Sequence, residues 1–283
     1  MAKHRIGIGL LFIALAFALT AAQAQTFKTV DAPNAFETDL NAVNNANTAV
    51  GDFLDNNGLQ RGFAVIGHKI KIFDVPNSSG TFARGINDKN QVVGWYTDSL
   101  GTQHGYVYDN GKFTTIDPPN TQLTNAWGIN NSGVIVGTYV DNQAGVYHGF
   151  VLKGSTYTSY DAPSSVLTEL LGVNDAGQMV GIYNDGTDQH GFGLAGGRFT
   201  DITYPGATVT ASDKINKNGD IVGLWGTSSS GPFDGYLLTG TKFTDILAPG
   251  STETRLRGLN NADVIVGRYT DSAGTIHGLA IIP

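Results

Sequence analysis

An asparagine followed seven residues later by a glycine occurs six times along the chain: Asn44/Gly51, Asn87/Gly94, Asn130/Gly137, Asn174/Gly181, Asn216/Gly223 and Asn260/Gly267. Successive copies lie 42–44 residues apart. A second glycine (Gly62, Gly105, Gly149, Gly191, Gly235, Gly278) and a proline (Pro33, Pro76, Pro119, Pro163, Pro205, Pro249) hold the same register. Three markers in step leave no room for a linker or a second domain. A sequence of this kind must fold as copies of one small unit, each burying its apolar face against its neighbours.

Each copy reads as four short strands. In the third, Thr124–Ile129 is followed by the turn Asn130-Asn-Ser-Gly133 and by Val134–Tyr139, rich in residues that suit a pleated surface. His148–Leu152 and Tyr157–Asp161 complete it. The fourth residue of the first turn is Asn47, Asn90, Gly133, Gly177, Gly219 or Asp263, all tolerant of the left-handed backbone a bulged hairpin requires. Four-stranded units of ~40–50 residues are the mark of propeller blades. A fourth-type strand, Phe27–Asp31, stands alone near the N-terminus, and strands one to three of the last unit end the chain without a fourth. The expected architecture is an all-β, six-bladed propeller over residues 25–283, its last blade closed by the N-terminal strand pairing with the C-terminal ones. Such closure removes an exposed sheet edge.

Residues 1–24 read as an address. Lys3 and Arg5 precede an apolar run from Ile6 to Ala22, and Ala22-Gln-Ala24 offers a signal-peptidase site. The expectation is a secreted or periplasmic protein with no membrane insertion after cleavage. With no cysteine, a thiol nucleophile and disulfides are excluded. A net charge of −7 argues against a nucleic-acid partner.

The units resemble the HAF family of bacterial extracellular repeats. The residues that carry the likeness are His104-Gly-Tyr106, His148-Gly-Phe150, His190-Gly-Phe192 and the looser His277-Gly-Leu279, with Gly85-Ile-Asn87 and Gly128-Ile-Asn130 behind them. Glycine stands where the family name expects alanine after histidine, and Arg61-Gly-Phe63 and Asp234-Gly-Tyr236 lack the histidine. The resemblance implies export and a propeller-like fold, and brings no catalytic residues.

The repeated histidines sit on third strands, too far apart between blades to converge, and are expected to be scaffold. Phe53, Tyr96, Tyr139, Tyr183, Trp225 and Tyr269 recur in every copy and are expected to pack between blades. Asp98, Asp141, Asp185 and Asp271 each supply one carboxylate to a loop, short of the six or more oxygens that calcium takes. No cofactor or metal is expected.

Function should lie where the copies differ. On the first strand, the residue before the Gly of Gly-Ile-Asn is Asn41, Arg84, Trp127, Leu171, Asp213 or Arg257, and two residues further back stand Asp39, Phe82, Asn125, Glu169, Ala211 or Arg255. Between them lies a mostly apolar position, Leu40, Ala83, Ala126, Leu170, Ser212 or Leu256. Strand alternation puts the variable residues on one face. Arg84, Trp127, Asp213, Arg257, Asp39 and Glu169 are the candidate lining of a channel mouth, a polar-aromatic cup suited to a carbohydrate or small organic ligand. The regular loops favour a non-catalytic binding or scaffolding protein of the cell envelope, with a protein partner as another use of the surface. The alternative is a hydrolase or lyase on carbohydrate or a small molecule, drawing acid and base from Asp39, Glu169 and Asp213.

Overall fold

The computed structural model describes residues 25–142 and 145–283, and the expected signal peptide lies outside them. It is all-β: 24 strands and no α-helix among the described residues. The strands pair as antiparallel meanders of four, each unit following the last along the chain. The inner strands are Ala35–Val43, Gly80–Ile86, Thr121–Ile129, Leu167–Val173, Val209–Ile215 and Glu253–Leu259. Strand Thr26–Thr29 pairs antiparallel with Ile276–Ile282, in the register Phe27↔Ile281, so the two ends of the chain share one sheet.

Every inner strand carries a bulge at the same place. The register skips Asn41, Arg84, Trp127, Leu171, Asp213 and Arg257 in turn. A bulge re-aims the side chain it carries. Its partner explains the repeated glycine: a Cβ on Gly51, Gly94, Gly137, Gly181, Gly223 or Gly267 would collide with the backbone oxygen of Asp39, Phe82, Asn125, Glu169, Ala211 or Arg255. The residue between the two variable positions is buried in all six units, as Leu40, Ala83, Ala126, Leu170, Ser212 and Leu256.

The repeated asparagine joins one unit to the next. Its Oδ1 accepts the two N–H groups of its own turn, as Asn130 does from Ser132 and Val134. Its Nδ2 donates to the carbonyl of the following asparagine: Asn44 to Asn87, Asn87 to Asn130, Asn130 to Asn174, and Asn174 to Asn216, at 2.9–3.1 Å. Asn260 donates to Asn44, across 216 residues. The Asn216 amide turns instead to Asp220 and Asp263. The turns have the backbone their residues allow, with φ near +60° at Asn47, Asn90 and Asp263.

Of the recurrent aromatics, Phe53 packs in a cluster with Val266 of the last unit and Trp225 stacks on Tyr204 of the preceding unit at 4.1 Å, while the tyrosines also pair within their own unit. Tyr96, Tyr139, Tyr183 and Tyr269 are half-buried and stack on His104, His148, His190 and His277 at 4.9–5.2 Å. Each histidine is also held by side chains of its own unit, such as His148 between Asp161 at 2.8 Å and Asp141 at 3.2 Å. His277 reaches Asp31, beside the N-terminal strand, at 2.8 Å.

Candidate functional site

The bulged residues of the third to sixth units, with Glu169, Ala211 and Arg255 two positions before three of them, meet in one recess. Four of the six candidates, Trp127, Glu169, Asp213 and Arg257, line one cavity of about 420 Å³. Such a volume lies within the ~300–1,000 Å³ typical of small-ligand sites. Arg255, Gln189, Asp188 and Phe233 add to its wall. Arg84 and Asp39 are not among its lining residues and are engaged elsewhere.

Arg84 is spent on neighbours. Its guanidinium stacks over Trp95 at 4.5 Å and lies 5.5 Å from the Trp127 ring. It donates to Asn41 Oδ1 at 2.8 Å and approaches Asp52 at 3.6 Å. Trp95 meets Trp127 edge-on at 4.8 Å and stacks on Phe82 at 5.0 Å, so the indole that lines the cavity is backed by aromatic rings and a cation. Asp39 is held by Arg268 through contacts of 3.1 and 3.2 Å.

Across the mouth the carboxyl groups are less well satisfied. Asp213 is 4% exposed; Arg257 donates to its Oδ1 at 3.0 Å, while its buried Oδ2 has no partner among the described residues. A buried carboxylate oxygen without a donor is costly. Glu169, partly buried, makes no hydrogen bond or ion pair among the described residues. Burial pushes its carboxyl up to about 7, the Asp213 charge adds to the rise, and Arg257 opposes it. Two acids of one cavity thus sit in different environments, one ion-paired and one holding its proton to near neutrality.

Three contributors escaped the reading of the first strand. Asp52 is 1% exposed, hydrogen-bonded by Asn41 at 2.8 Å and Gln60 at 2.6 Å. Burial raises it to about 6; Asp39 adds to this, while Arg84 and the two hydrogen bonds oppose it. Arg268 compensates the resulting acidic pair from the opposite side, on Asp39. Lys214, in place of the usual glycine, donates to Leu171 O at 2.8 Å and fills part of the narrow axial space below the cavity. Burial lowers its amine to about 8, against the pull of Asp213, with Arg257 and Arg84 lowering it further. A signal for two of them was present: the residue after each second-strand glycine is Asp52, Trp95, Thr138, Ile182, Leu224 or Arg268, as variable as the first-strand series. Each lies directly across the ladder from a variable first-strand residue, as in Asp39↔Asp52 and Arg255↔Arg268.

No protein-family model and no curated protein matches the sequence. The architecture does have solved counterparts, and they define it as an all-β fold of the propeller type. A lectin of Aleuria aurantia, solved in complex with Fucalpha1-6GlcNAc, matches at TM-score 0.56 and 14% identity, over 89% of this chain and 98% of its own. The SapL1 lectin, solved with alpha methyl fucoside, matches at 0.58 and 10%, over 88% and 97%. Virginiamycin B lyase of Staphylococcus aureus matches at 0.52 and 12%, over 92% and 100%. At these identities the likeness is one of fold. Among the described residues no helix is long and apolar enough to cross a membrane, and no cluster of His, Asp or Glu is placed to hold a metal.

Proposed function

We propose that the chain is an exported six-bladed β-propeller that binds a carbohydrate or similar polyol, without turning it over, in the cavity of Trp127, Glu169, Asp213 and Arg257. The blade count is supported by six four-stranded units and by the return of the asparagine bonds from Asn260 to Asn44. Export rests on the leader-like residues 1–24 and on the resemblance to the HAF repeats.

The observation that carries the binding reading is the unpartnered pair of acceptors, Asp213 Oδ2 and the Glu169 carboxyl, in a walled cavity beside an indole and an arginine. Vicinal hydroxyls satisfy such acceptors by donating and take hydrogen bonds from Arg257, while the indole covers the apolar face of a sugar ring. The fucose-complexed lectins share the fold and are consistent with this ligand class. A glycan and metabolite screen on the protein tests it. The expected result is a sugar or polyol whose affinity falls at least about tenfold in Trp127→Ala and in Arg257→Ala. Wild-type binding by both variants would overturn the site.

A second reading, a hydrolase or lyase, is favoured by one observation: Glu169 held near neutrality beside the ion-paired Asp213, the split that general acid–base chemistry uses. Turnover of a bound glycan that Glu169→Gln abolishes without loss of affinity would select it.

A further inference from the structure

A second cavity lies in the seam between the last unit and the first, at the asparagine end, away from the site above. It measures about 520 Å³ and is mostly apolar. Its origin is a local change in side-chain size. One layer runs across each unit near this end, and registers align it residue by residue. In the second unit it reads Ile86, Val92, Tyr108, Phe113, and in the fourth Val173, Met179, Leu194, Phe199. In the first unit the same ladder reads Val43, Ala49, Val65, Ile70. At the second position the other five units have valine, isoleucine or methionine, at the third tyrosine, leucine or isoleucine, and at the fourth phenylalanine or tyrosine. Every member of the first unit's ladder lines the cavity. The last unit closes the far wall with Val264, Val266, Ala280 and Ile282. The next seam also has a recess, of about 410 Å³, but there Tyr108 takes the place of Val65 and stacks on Phe73 at 4.8 Å, and Lys71 and Asn110 make the lining more polar.

Natural cores are filled to crystal-like density, and space lined by alkyl groups of several strands costs stability unless something occupies it. The rim indicates what kind of occupant. In a protein of net charge −7, no aspartate or glutamate among the described residues lines this cleft, while Lys28 and His68, both exposed, do. An alkyl-lined space under a positive, acid-free rim is complementary to a chain-like molecule with a negative head.

We propose that this seam binds a single-chain anionic amphiphile, a long-chain fatty acid, with its acyl chain along Val43, Ala49, Val65 and Ile70 and its carboxylate at Lys28 and His68. The site is independent of the carbohydrate cavity. Binding removes alkyl surface from water at roughly 25 cal/mol per Å², and the ammonium fixes the orientation.

The test is a fluorescence titration with 11-(dansylamino)undecanoic acid below its micellar range, followed by displacement with dodecanoate and with dodecanol. The account expects saturation at one site per chain, and dodecanoate displacing at lower concentration than dodecanol. Ala49→Ile with Val65→Leu rebuilds the residues found in the third unit, so the variant should fold and melt no lower than wild type. It should lose at least about tenfold in affinity. Lys28→Gln should weaken dodecanoate about threefold to tenfold and leave dodecanol unchanged. The proposal is overturned if the dansyl probe does not saturate, or if the filled variant binds as wild type does. Equal displacement by acid and alcohol, with Lys28→Gln silent, overturns the anionic head. Capture on phosphatidylglycerol vesicles that the filled variant retains assigns the surface to lipid adsorption instead and also overturns the site.

Discussion

The two ends of the molecule use the same six strands for opposite purposes. At the asparagine end the copies agree, and nearly every polar group is answered: each side chain accepts from its own turn and all but Asn216 donate to the next unit's carbonyl. At the mouth the copies disagree. Asn41, Arg84, Trp127, Leu171, Asp213 and Arg257 occupy equivalent bulges, and Asp213 Oδ2, Arg84 Nε and Arg268 Nε are buried without partners. A repeat stabilises itself through what is common to its copies; a binding site needs groups left unsatisfied by the fold. Here the division falls within single strands, Trp127 and Asn130 being three residues apart.

The largest effect belongs to the asparagine end, where the six copies agree. Asn130→Ala strips two turn N–H groups and one carbonyl of their partners and should cost about 3 kcal/mol in urea unfolding. Asn216→Ala also strips two turn N–H groups, but its amide serves the carboxylates of the half-buried Asp220 and the exposed Asp263, which water can solvate in its place, so it should cost about 1 kcal/mol less. Equal losses would mean that the buried carbonyl link contributes no more than the solvated carboxylate bonds of Asn216.

A smaller effect belongs to the mouth. Because the folded state raises the Glu169 carboxyl from 4.5 to about 7, it binds that proton more tightly than the unfolded chain. Stability should therefore be greatest below pH ~4.5 and fall by about 2 kcal/mol as pH rises to ~7, then level off. Glu169→Gln should remove that part of the slope and keep the part due to Asp52, which lies between 3.8 and about 6. Urea midpoints across pH 4–8 measure both. Trp127→Ala, losing the edge contact with Trp95 and a 3.2 Å hydrogen bond to Thr138, should cost about 1–2 kcal/mol while removing ligand binding.

The smallest effect should come from the joined termini. Partial burial opposes protonation of His277, but its bonds and charges with Asp31 and Asp271 outweigh this and raise its pKa above 6.5. That contribution is complete below pH ~6.5 and disappears as pH climbs through the raised value. Asp31→Asn should remove most of it and leave the part due to Asp271, a change of a few tenths of a kcal/mol at these half-exposed positions, seen as a weaker pH dependence of the melting temperature.

The units, their four strands and the pairing of Phe27 with Ile281 were legible because steric demands recur: a glycine facing a bulge and a left-handed turn residue mark each copy. The variable mouth was legible as a series, which is how Trp127, Glu169, Asp213 and Arg257 were found together. What the series could not give was which members neutralise one another. Arg84 is drawn away by Trp95 and Asn41, and Asp39 by Arg268, partners on second strands or in neighbouring units with no fixed spacing to them. The asparagine was read as a turn residue; its Nδ2, which reaches the following unit, leaves no local trace in sequence.

The division of labour is tested most directly on one strand, with Glu169→Gln and Asn174→Ala measured side by side for glycan-array binding and for urea midpoint at pH 7. The account predicts that the first loses binding with its midpoint unchanged or raised, and that the second loses midpoint while its folded fraction binds as wild type. If Asn174→Ala abolishes binding in the folded protein, or Glu169→Gln leaves it intact, the two ends are not separate and the account is contradicted.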